Sequence, residues 1–336
     1  MNIRFNADAC RHPRFLQGRE WLETNGRGGY ASSTLANCHT RKYHGLLVAN
    51  LGEPANGRHV LLSKFEEVAS GAGGDTLLTT TQFPGAVVPA VPPPLAAFEL
   101  AEYPVWTFAL PHGELRRGVL MPQGRDTVLL RFAYTGDAAP LTLRFRPFLA
   151  YRRFHELMRE NAAVSAAVHG TADGFRVAPY DGMPPLVFQS NLPMRWTPAG
   201  AWYRDFEYLE EHGRGYPFRE DLFVPACFEV TLPPGAELVL AAGTEPLPDL
   251  AAAWAGEKER RQKERRRALE LAHVLAPGPE EVAVTERLIL AGGQLLIQTP
   301  GGRPACLAGY HWFEDWGRDT MIALPGVAFH AGRLDH

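Results

Sequence analysis

Thr127-Val-Leu-Leu-Arg-Phe-Ala-Tyr134 and Leu141-Thr-Leu-Arg-Phe-Arg-Pro-Phe148 are the two stretches that decide the fold of this chain. In both, apolar side chains alternate with others at a period of two, which is the pattern of a strand with one buried face. Between them, Gly136-Asp137 is a turn signal. The pattern predicts two β-strands separated by a turn, and it favours a β fold for the chain around them.

Short apolar and aromatic runs recur at fairly regular spacing through residues 1–246. Turn signals punctuate them, including Pro233-Pro-Gly235 and Asp173-Gly174. Many short strands at such spacing indicate a β-sandwich, and a domain of this length would make it a large one. The other predicted strands begin at Leu46, His59, Val105, Gly174, Leu186, Trp202, Ala226 and Glu237.

Residues 247–278 change in character and predict a linker helix. The stretch Leu250–Leu275 contains one Gly and no Pro, and Glu257 and Arg261 have the four-residue spacing that supports a helix. The run Lys258–Arg267 is strongly basic. Glutamates are interleaved with its basic residues and aromatics are not, so we interpret it as a solvated helix face rather than a nucleic-acid contact.

Residues 279–336 predict the start of a second, helical domain. Pro279 suits the first turn of a helix, and Val282–Gln298 is apolar on more than one face, which is typical of a buried helix. A Gly- and Pro-containing loop follows, and Asp319–Ala331 predicts a second helix with a kink at Pro325. One helical hairpin cannot bury its own apolar faces, so these helices need either further helices or the sandwich as a partner.

The stretch Gly309–Gly326 has the composition of a sugar site. Pyranose rings stack their C–H faces on aromatic side chains, and their hydroxyls favour charged hydrogen-bonding partners. Arg318 offers a forked donor and Asp319 an acceptor pair, which together can clamp neighbouring hydroxyls. Asp319 can instead, or in addition, cap the helix that it opens. The aromatic side chains that would shape this pocket are Tyr310, Trp312 and Trp316.

Glu314 and Asp315 are the nearest candidates for catalytic carboxylates. The two carboxylates of a glycosidase face each other across the scissile bond, at roughly 6.5–9.5 Å in an inverting enzyme. Adjacent residues point in different directions, so we expect Glu314 and Asp315 to lie next to a substrate rather than to act on it.

A second group of polar and aromatic residues lies near the start of the chain. Glycines at 26, 28 and 29 permit tight turns, and the segment lacks the third glycine of a dinucleotide fingerprint. Either it is a structural hairpin with a satisfied histidine, or it forms a domain interface or one wall of a substrate cleft. The residues that would serve the second role are Arg27, Tyr30, Arg41, Tyr43 and His44.

Charge, hydropathy and cysteine spacing exclude several classes of protein. The formal net charge of −3 argues against a mainly nucleic-acid-binding role, and no apolar run reaches the length of a membrane span. The N-terminus has no signal-peptide core, so the sequence predicts a cytoplasmic protein with reduced thiols. A zinc site is not predicted, because no pair among Cys10, His12, Cys38, His39 and His44 has finger spacing.

Several segments together resemble the N-terminal domain of the bacterial and archaeal type of glycogen debranching enzyme, and Tyr310–Gly326 resembles the entry into that family's amylo-α-1,6-glucosidase domain. The segments of the first resemblance are 25–30, 41–47, 82–86, 103–108, 147–152 and 221–225. The resemblance implies a large β-sandwich coupled to an (α/α)6 barrel that hydrolyses α-1,6-linked glucose with inversion. It also implies that Arg318 and Asp319 hold the terminal glucose beside Trp316, without any metal or organic cofactor.

The resemblance also implies what this chain lacks. The family's general acid and base lie on later barrel helices, so no residue here is predicted to be catalytic, and the chain is expected to be an N-terminal piece that needs a C-terminal catalytic domain. The expected partner is an α-glucan: glycogen, limit dextrin or a branched maltooligosaccharide. Val88-Pro89 departs from the His-Pro of many relatives.

Two other functions stay open from the sequence. The chain as it stands could be a non-catalytic module that binds α-glucan or packs against another domain. It could also be a fragment of a glucoamylase-like or trehalase-like glycosidase of the same barrel group.

Overall fold

The computed structural model describes residues 2–53, 55–136 and 139–333, and most of its regular structure is β. The strands are β1 (Ile3–Phe5), β2 (Glu20–Thr24), β3 (Tyr30–Thr34), β4 (Gly45–Leu51), β5 (Gly57–Gly71), β6 (Gly74–Leu77), β7 (Thr81–Phe83), β8 (Ala86–Val88), β9 (Leu95–Leu100), β10 (Pro104–Leu110), β11 (Gly113–Leu120), β12 (Thr127–Gly136), β13 (Leu141–Arg153), β14 (Val168–Thr171), β15 (Gly174–Val177), β16 (Leu186–Ser190), β17 (Met194–Glu207), β18 (Arg219–Leu232), β19 (Glu237–Gly243), β20 (Leu296–Gln298) and β21 (Pro304–Cys306). The helices are α1 (Ala7–Cys10), α2 (Pro13–Gln17), α3 (Leu209–Gly213), α4 (Leu250–Leu275), α5 (Pro279–Leu295) and α6 (Gly317–Leu324), and a π-helical turn covers Pro325–Phe329.

The strands form two large antiparallel sheets across the described ranges. One sheet has the order β1-β9-β10-β11-β12-β19-β16-β15-β14. The other has the order β17-β18-β13-β5-β4-β3-β2, with β6 paired to β5. The hairpins β7-β8 and β20-β21 stand apart from both. The prediction of a mainly β chain is confirmed.

The two deciding stretches lie in opposite sheets. The first, β12, pairs with β11 and β19, whereas the second, β13, pairs with β5 and β18. The residues between them therefore connect one layer to the other, and the predicted turn at Gly136-Asp137 lies partly outside the described residues, because Asp137 is not among them. Phe132 of β12 and Phe145 of β13 meet in the shared core with ring centroids 5.5 Å apart. Because successive side chains of a strand point to opposite sides, every second residue of β12 and of β13 packs into one core between the two sheets.

Helix α4 packs on the outer face of the first sheet. Its N-terminus is capped by Asp249, whose Oδ1 accepts from Ala252 N at 2.9 Å. Trp254 is buried there beside Leu129, which points away from the central core. Arg261 bridges the buried carboxylates of Glu23 and Glu257. The interpretation of the basic run as a solvated face is therefore wrong for Arg261, because Glu23 of β2 and Glu257 of α4 itself both pair with it at the buried side of the helix.

The segment after α4 is largely exposed. Helix α5 ends earlier than predicted because residues 296–298 turn into the β20-β21 hairpin. Its predicted burial is observed on one face only: Val282 and Ile289 are buried against α4, whereas Leu288 is 66% exposed and Val284 is exposed as well. Helix α6 begins two residues before the predicted start, with Trp316 at its N-cap. Asp319 therefore lies in the first turn and does not cap the helix.

Within the described ranges, no helix is long and apolar enough to span a membrane. The four cysteines, all of them described, are unpaired thiols.

Candidate functional site

The predicted sugar-contact residues fall into two groups. Tyr310 and Trp312 turn inward and pack on the β region. Trp316, Arg318 and Asp319 lie at the start of α6, where Trp316 is 53% exposed and the Arg318 side chain is 77% exposed. The inward group can fix the segment in place, and the outward group is free to meet a ligand.

The inward group surrounds His311, which the sequence reasoning missed. Its side chain is 6% exposed, and its Nε2 lies 2.8 Å from Ser32 Oγ. The Ser32 hydroxyl donates its own proton to the Trp21 carbonyl, so it accepts from Nε2–H of His311. The His311 ring also makes edge contacts with the rings of Tyr30 and His44. A single histidine in an aromatic stretch carries no signal that distinguishes such an anchor from a surface residue.

Arg58 is the second residue that sequence reasoning missed. It is 3% exposed, and its guanidinium lies 4.3 Å from the centre of the Phe154 ring. Its Nη1 donates to the His311 carbonyl at 2.9 Å, and its Nη2 donates to the Phe313 carbonyl. No local motif marks an arginine whose partners are carbonyls in a distant segment.

We call the contact between Tyr310–Phe313 and Tyr30, Arg41, Tyr43, His44 and Arg58 the seam. Within it, the Arg41 guanidinium lies 5.3 Å from the Trp312 ring centre, and the Tyr43 and Trp312 centroids are 5.9 Å apart. Tyr30 donates from its hydroxyl to the Tyr43 carbonyl at 2.7 Å. The structure thus brings four of the five predicted interface residues to one place.

Arg27, the fifth predicted interface residue, lies outside the seam. Its Nε is 3.5 Å from Oδ2 of Asp126, whose other oxygen accepts from Asn25. Asn25 in turn accepts from the backbone N–H groups of Arg27 and Gly29. The arginine therefore belongs to the glycine-rich turn that precedes β3.

Glu20 adds a negative charge to the seam through its contacts with Arg41 and His44, and we count it as part of the seam from here on. Glu20 Oε1 accepts from Arg41 Nε at 2.6 Å and lies 3.3 Å from His44 Nε2. Burial alone would raise the pKa of Glu20, but His44 and Arg41 outweigh it and lower that pKa to about 2. Burial is the largest cause that lowers the pKa of His311 to about 3. At neutral pH the seam therefore holds an ionised Glu20 and a neutral His311.

Glu20, His44 and His311 also have the composition of a metal site. One ligand atom from each lies within 4.8 Å of the others. However, His44 Nδ1 faces the backbone N–H groups of Thr40 and Arg41, at 3.2 and 3.4 Å. Those donors need the Nδ1 lone pair, so the ring proton sits on Nε2, which then has no lone pair for a metal. The donor set fits a hydrogen-bonded cluster rather than a metal centre.

The outward group combines features that a polar ligand requires. Arg318 Nε lies 3.2 Å from Asp319 Oδ1, which places a planar donor beside an acceptor. The indole of Trp316 is exposed one turn away, at the N-cap of α6. Asp315 is paired instead with Arg303, and Glu314 is exposed. A donor fork, a carboxylate and an aromatic face at one helix start can bind a polyhydroxylated ring.

Two solved glycosidase structures share a low overall likeness with this chain, and no curated protein matches it. A bacterial glucoamylase complexed with acarbose aligns at 6% identity and TM-score 0.32, over 87% of this chain and 37% of that one. A family 92 glycosyl hydrolase, CcMan5, aligns at 11% identity and TM-score 0.31, over 92% and 45%. The chain therefore spans less than half the length of either structure.

Family profiles match both parts of the sequence. The profile described as glycogen debranching enzyme N terminal matches residues 19–239, which is more than half of the chain. The profile described as amylo-alpha-1,6-glucosidase matches residues 290–336, the range that contains residues 308–314, which form the seam loop, and the Arg318–Asp319 pair. This chain belongs to the glycogen debranching enzyme family.

Proposed function

We propose that this chain is the N-terminal portion of an enzyme that hydrolyses α-1,6-linked glucose branches in glycogen and limit dextrin. The observation that carries the proposal is the pairing of Arg318 with Asp319 beside an exposed Trp316, inside the segment that matches an amylo-α-1,6-glucosidase profile. In this role, Arg318 and Asp319 grip the hydroxyls of the branch glucose, and Trp316 stacks on its apolar face.

The proposed reaction is an inverting hydrolysis with two carboxylates. One carboxylic acid protonates the glycosidic oxygen while a carboxylate activates water on the opposite face of the sugar. We propose that both groups come from residues outside these 336, on further helices of an (α/α)6 barrel that α5 and α6 begin. Residues 1–246 then serve as the β-sandwich on which that barrel is mounted, and α4 serves as the linker. The protein is proposed to act in the cytoplasm, a compartment that keeps free thiols reduced.

The test uses a full-length version of the protein that continues into the rest of the glucosidase domain. Glucose release from a branched limit dextrin is measured for the parent, for Asp319→Asn and for the exposed control Asp8→Asn. Losing a charged hydrogen-bonding partner of the sugar is expected to lower kcat/KM by about 100-fold, and the control should match the parent. If Asp319→Asn keeps activity within about twofold, the sugar-grip assignment fails.

The same assay on the 336-residue chain tests where the acid and base lie. We expect no glucose release from it. Release at a rate near that of the full-length version would show that the chain holds its own catalytic carboxylates.

A second candidate function is a module that packs against another domain without catalysis. The seam favours it, because the buried Arg58 and His311 bind the last segment firmly to the β region. It predicts that the full-length protein releases no glucose and that the isolated chain still binds limit dextrin or a partner domain.

A further inference from the structure

We propose that Arg58, a residue of the β region, is a positioning residue that sets the geometry of the sugar-contact residues Trp316, Arg318 and Asp319. The inference rests on the proposed function, and it adds a part of the site that lies outside the glucosidase segment. Arg58 touches none of the proposed sugar contacts. It acts on them through the main chain of the seam loop.

Arg58 is held firmly before it meets the loop. It is near the start of β5, where it pairs with Asn50 of β4, and its carbonyl accepts from Phe154 N at 3.1 Å. The ring of Phe154 lies under its guanidinium. With its backbone fixed by strands and its head group against an aromatic face, Arg58 presents its donors in one orientation.

Nη1 and Nη2 of Arg58 both reach carbonyls of one short loop. Nη1 binds the carbonyl of His311 and Nη2 that of Phe313, which are 253 and 255 residues further along the chain. Two parallel bonds from a planar fork fix the direction of the loop as well as its position. Because these acceptors are main-chain oxygens, the contact depends on the position of the backbone at residues 311 and 313 and not on their side chains.

The position of the loop determines the position of the first residues of α6. The loop is closed on itself by Phe313 N to the Gly309 carbonyl at 3.0 Å and by Ala308 N to the Glu314 carbonyl at 3.0 Å. Leu307 and Asp315 form a β-bridge at its base, directly before Trp316. A shift at residues 311 and 313 therefore moves the residue from which α6 begins. The grip on a sugar depends on placement to a fraction of an ångström, so such a shift is costly.

The test compares Arg58→Ala and Arg58→Lys in the full-length version with Arg153→Ala as the matched control. Arg153 is an exposed arginine of the adjacent strand β13 that also donates to a carbonyl, that of Asn56. Glucose release and hydrogen–deuterium exchange over residues 307–324 are measured for each variant. We expect both Arg58 variants to exchange faster there and to lose at least about tenfold in kcat/KM, since lysine keeps the charge but not the fork. The control should change neither readout.

Chemical rescue separates positioning from a loss of folding. Arg58→Ala leaves a buried space against Phe154, so guanidinium ion at concentrations well below denaturing should restore part of the activity and slow the exchange again. Restoration by guanidinium and not by ammonium supports the proposal. If Arg58→Ala does not fold, Arg58→Lys decides by the same two readouts.

The outcome also distinguishes this inference from the proposed function. If Asp319→Asn abolishes activity while both Arg58 variants match the parent, the positioning role is overturned and the function stands. If the Arg58 variants loosen residues 307–324 while neither they nor Asp319→Asn affect glucose release, the proposed function fails and the positioning role fails with it.

Discussion

His311 and Ser32 are 279 residues apart in the chain, yet His311 Nε2 lies 2.8 Å from Ser32 Oγ. This bond joins the side chain of His311, in the seam loop, to a buried residue of β3 near the start of the chain. It fixes the proton of the neutral imidazole on Nε2, because the Ser32 hydroxyl already donates to Trp21. The stability of the seam therefore depends on His311 staying neutral.

Acid is expected to weaken the seam through His311. Its pKa is lowered to about 3 from an ordinary 6.5, so below pH 6.5 the unfolded chain binds a proton that the folded chain does not. The free energy of unfolding then falls by up to about 1.4 kcal/mol per pH unit as the pH drops from 6.5 towards 3. The groups that face the ring are Glu20, Arg41, His44 and Arg58.

The measurement is urea unfolding at several pH values from 7 to 4.5, for the parent and for His311→Gln. The amide of Gln can still donate to Ser32 but does not titrate, so the variant should lose stability less steeply in this window. Parallel slopes for the two proteins would show that His311 does not drive the pH dependence.

Glu20 is expected to stabilise the fold in its charged form, whereas His311 does so in its neutral form. The folded pKa of Glu20, about 2, lies below the ordinary 4.5, so its contribution is complete above pH 4.5 and is lost as the pH falls through 2. Glu20→Gln should reduce the free energy of unfolding at pH 7 by about 1–2 kcal/mol, because solvent screens the interactions of this partly exposed carboxylate. Denaturant unfolding checks this against Glu259→Gln, which removes an exposed partner of Lys263. Equal effects of the two variants would contradict the expectation.

The ion pair between Arg152 and Glu220 is expected to be among the most sensitive in the β region. Both side chains are buried, and Glu220 also accepts from Met158 N at 2.8 Å and from the Tyr208 hydroxyl. Glu220→Gln leaves the buried guanidinium without its counter-charge and should cost about 3–5 kcal/mol by thermal or urea unfolding. Asp75→Asn, which disrupts an exposed pair with Arg144, should cost less than about 1 kcal/mol. If Glu220→Gln lowers the free energy of unfolding only slightly, water must reach the ion pair between Arg152 and Glu220.

Substitution of Arg318 or Asp319 is expected to leave the fold intact. The Arg318 side chain is 77% exposed, and Asp319 contributes to stability mainly as an acidic group in the first turn of α6. Arg318→Ala and Asp319→Ala should each change the free energy of unfolding by less than about 1 kcal/mol. Thermal unfolding measures this directly. A loss comparable to that of Glu220→Gln would assign the pair a structural role and weaken the proposed sugar grip.

Zinc is not expected to stabilise the protein. Binding at Glu20, His44 and His311 would require the Nε2 lone pair of His44, which the backbone donors of Thr40 and Arg41 prevent. Melting temperatures with zinc and with a chelator should agree for the parent and for His44→Phe. A zinc-dependent rise in the parent that His44→Phe removes would establish a metal site in the seam.

The sequence by itself determined the elements with a local pattern. Alternation at a period of two marks β12 and β13, and the near absence of Gly and Pro with charges four residues apart marks α4. It also predicted Gly309–Gly326 as a sugar-binding segment, because that prediction rests on composition. These signals can be detected in a single sequence because each element contains its own local pattern.

Tertiary structure alone decided how these elements combine. Nothing in the sequences of β12 and β13 indicates that the two strands lie in different sheets. The two halves of the predicted sugar-contact stretch separate, with Trp312 packed inward and Trp316 exposed, because one half meets the β region and the other does not. Arg58 and His311 gained their roles from partners more than 250 residues away. Contacts at that separation depend on the folded path of the chain, and no local pattern records them.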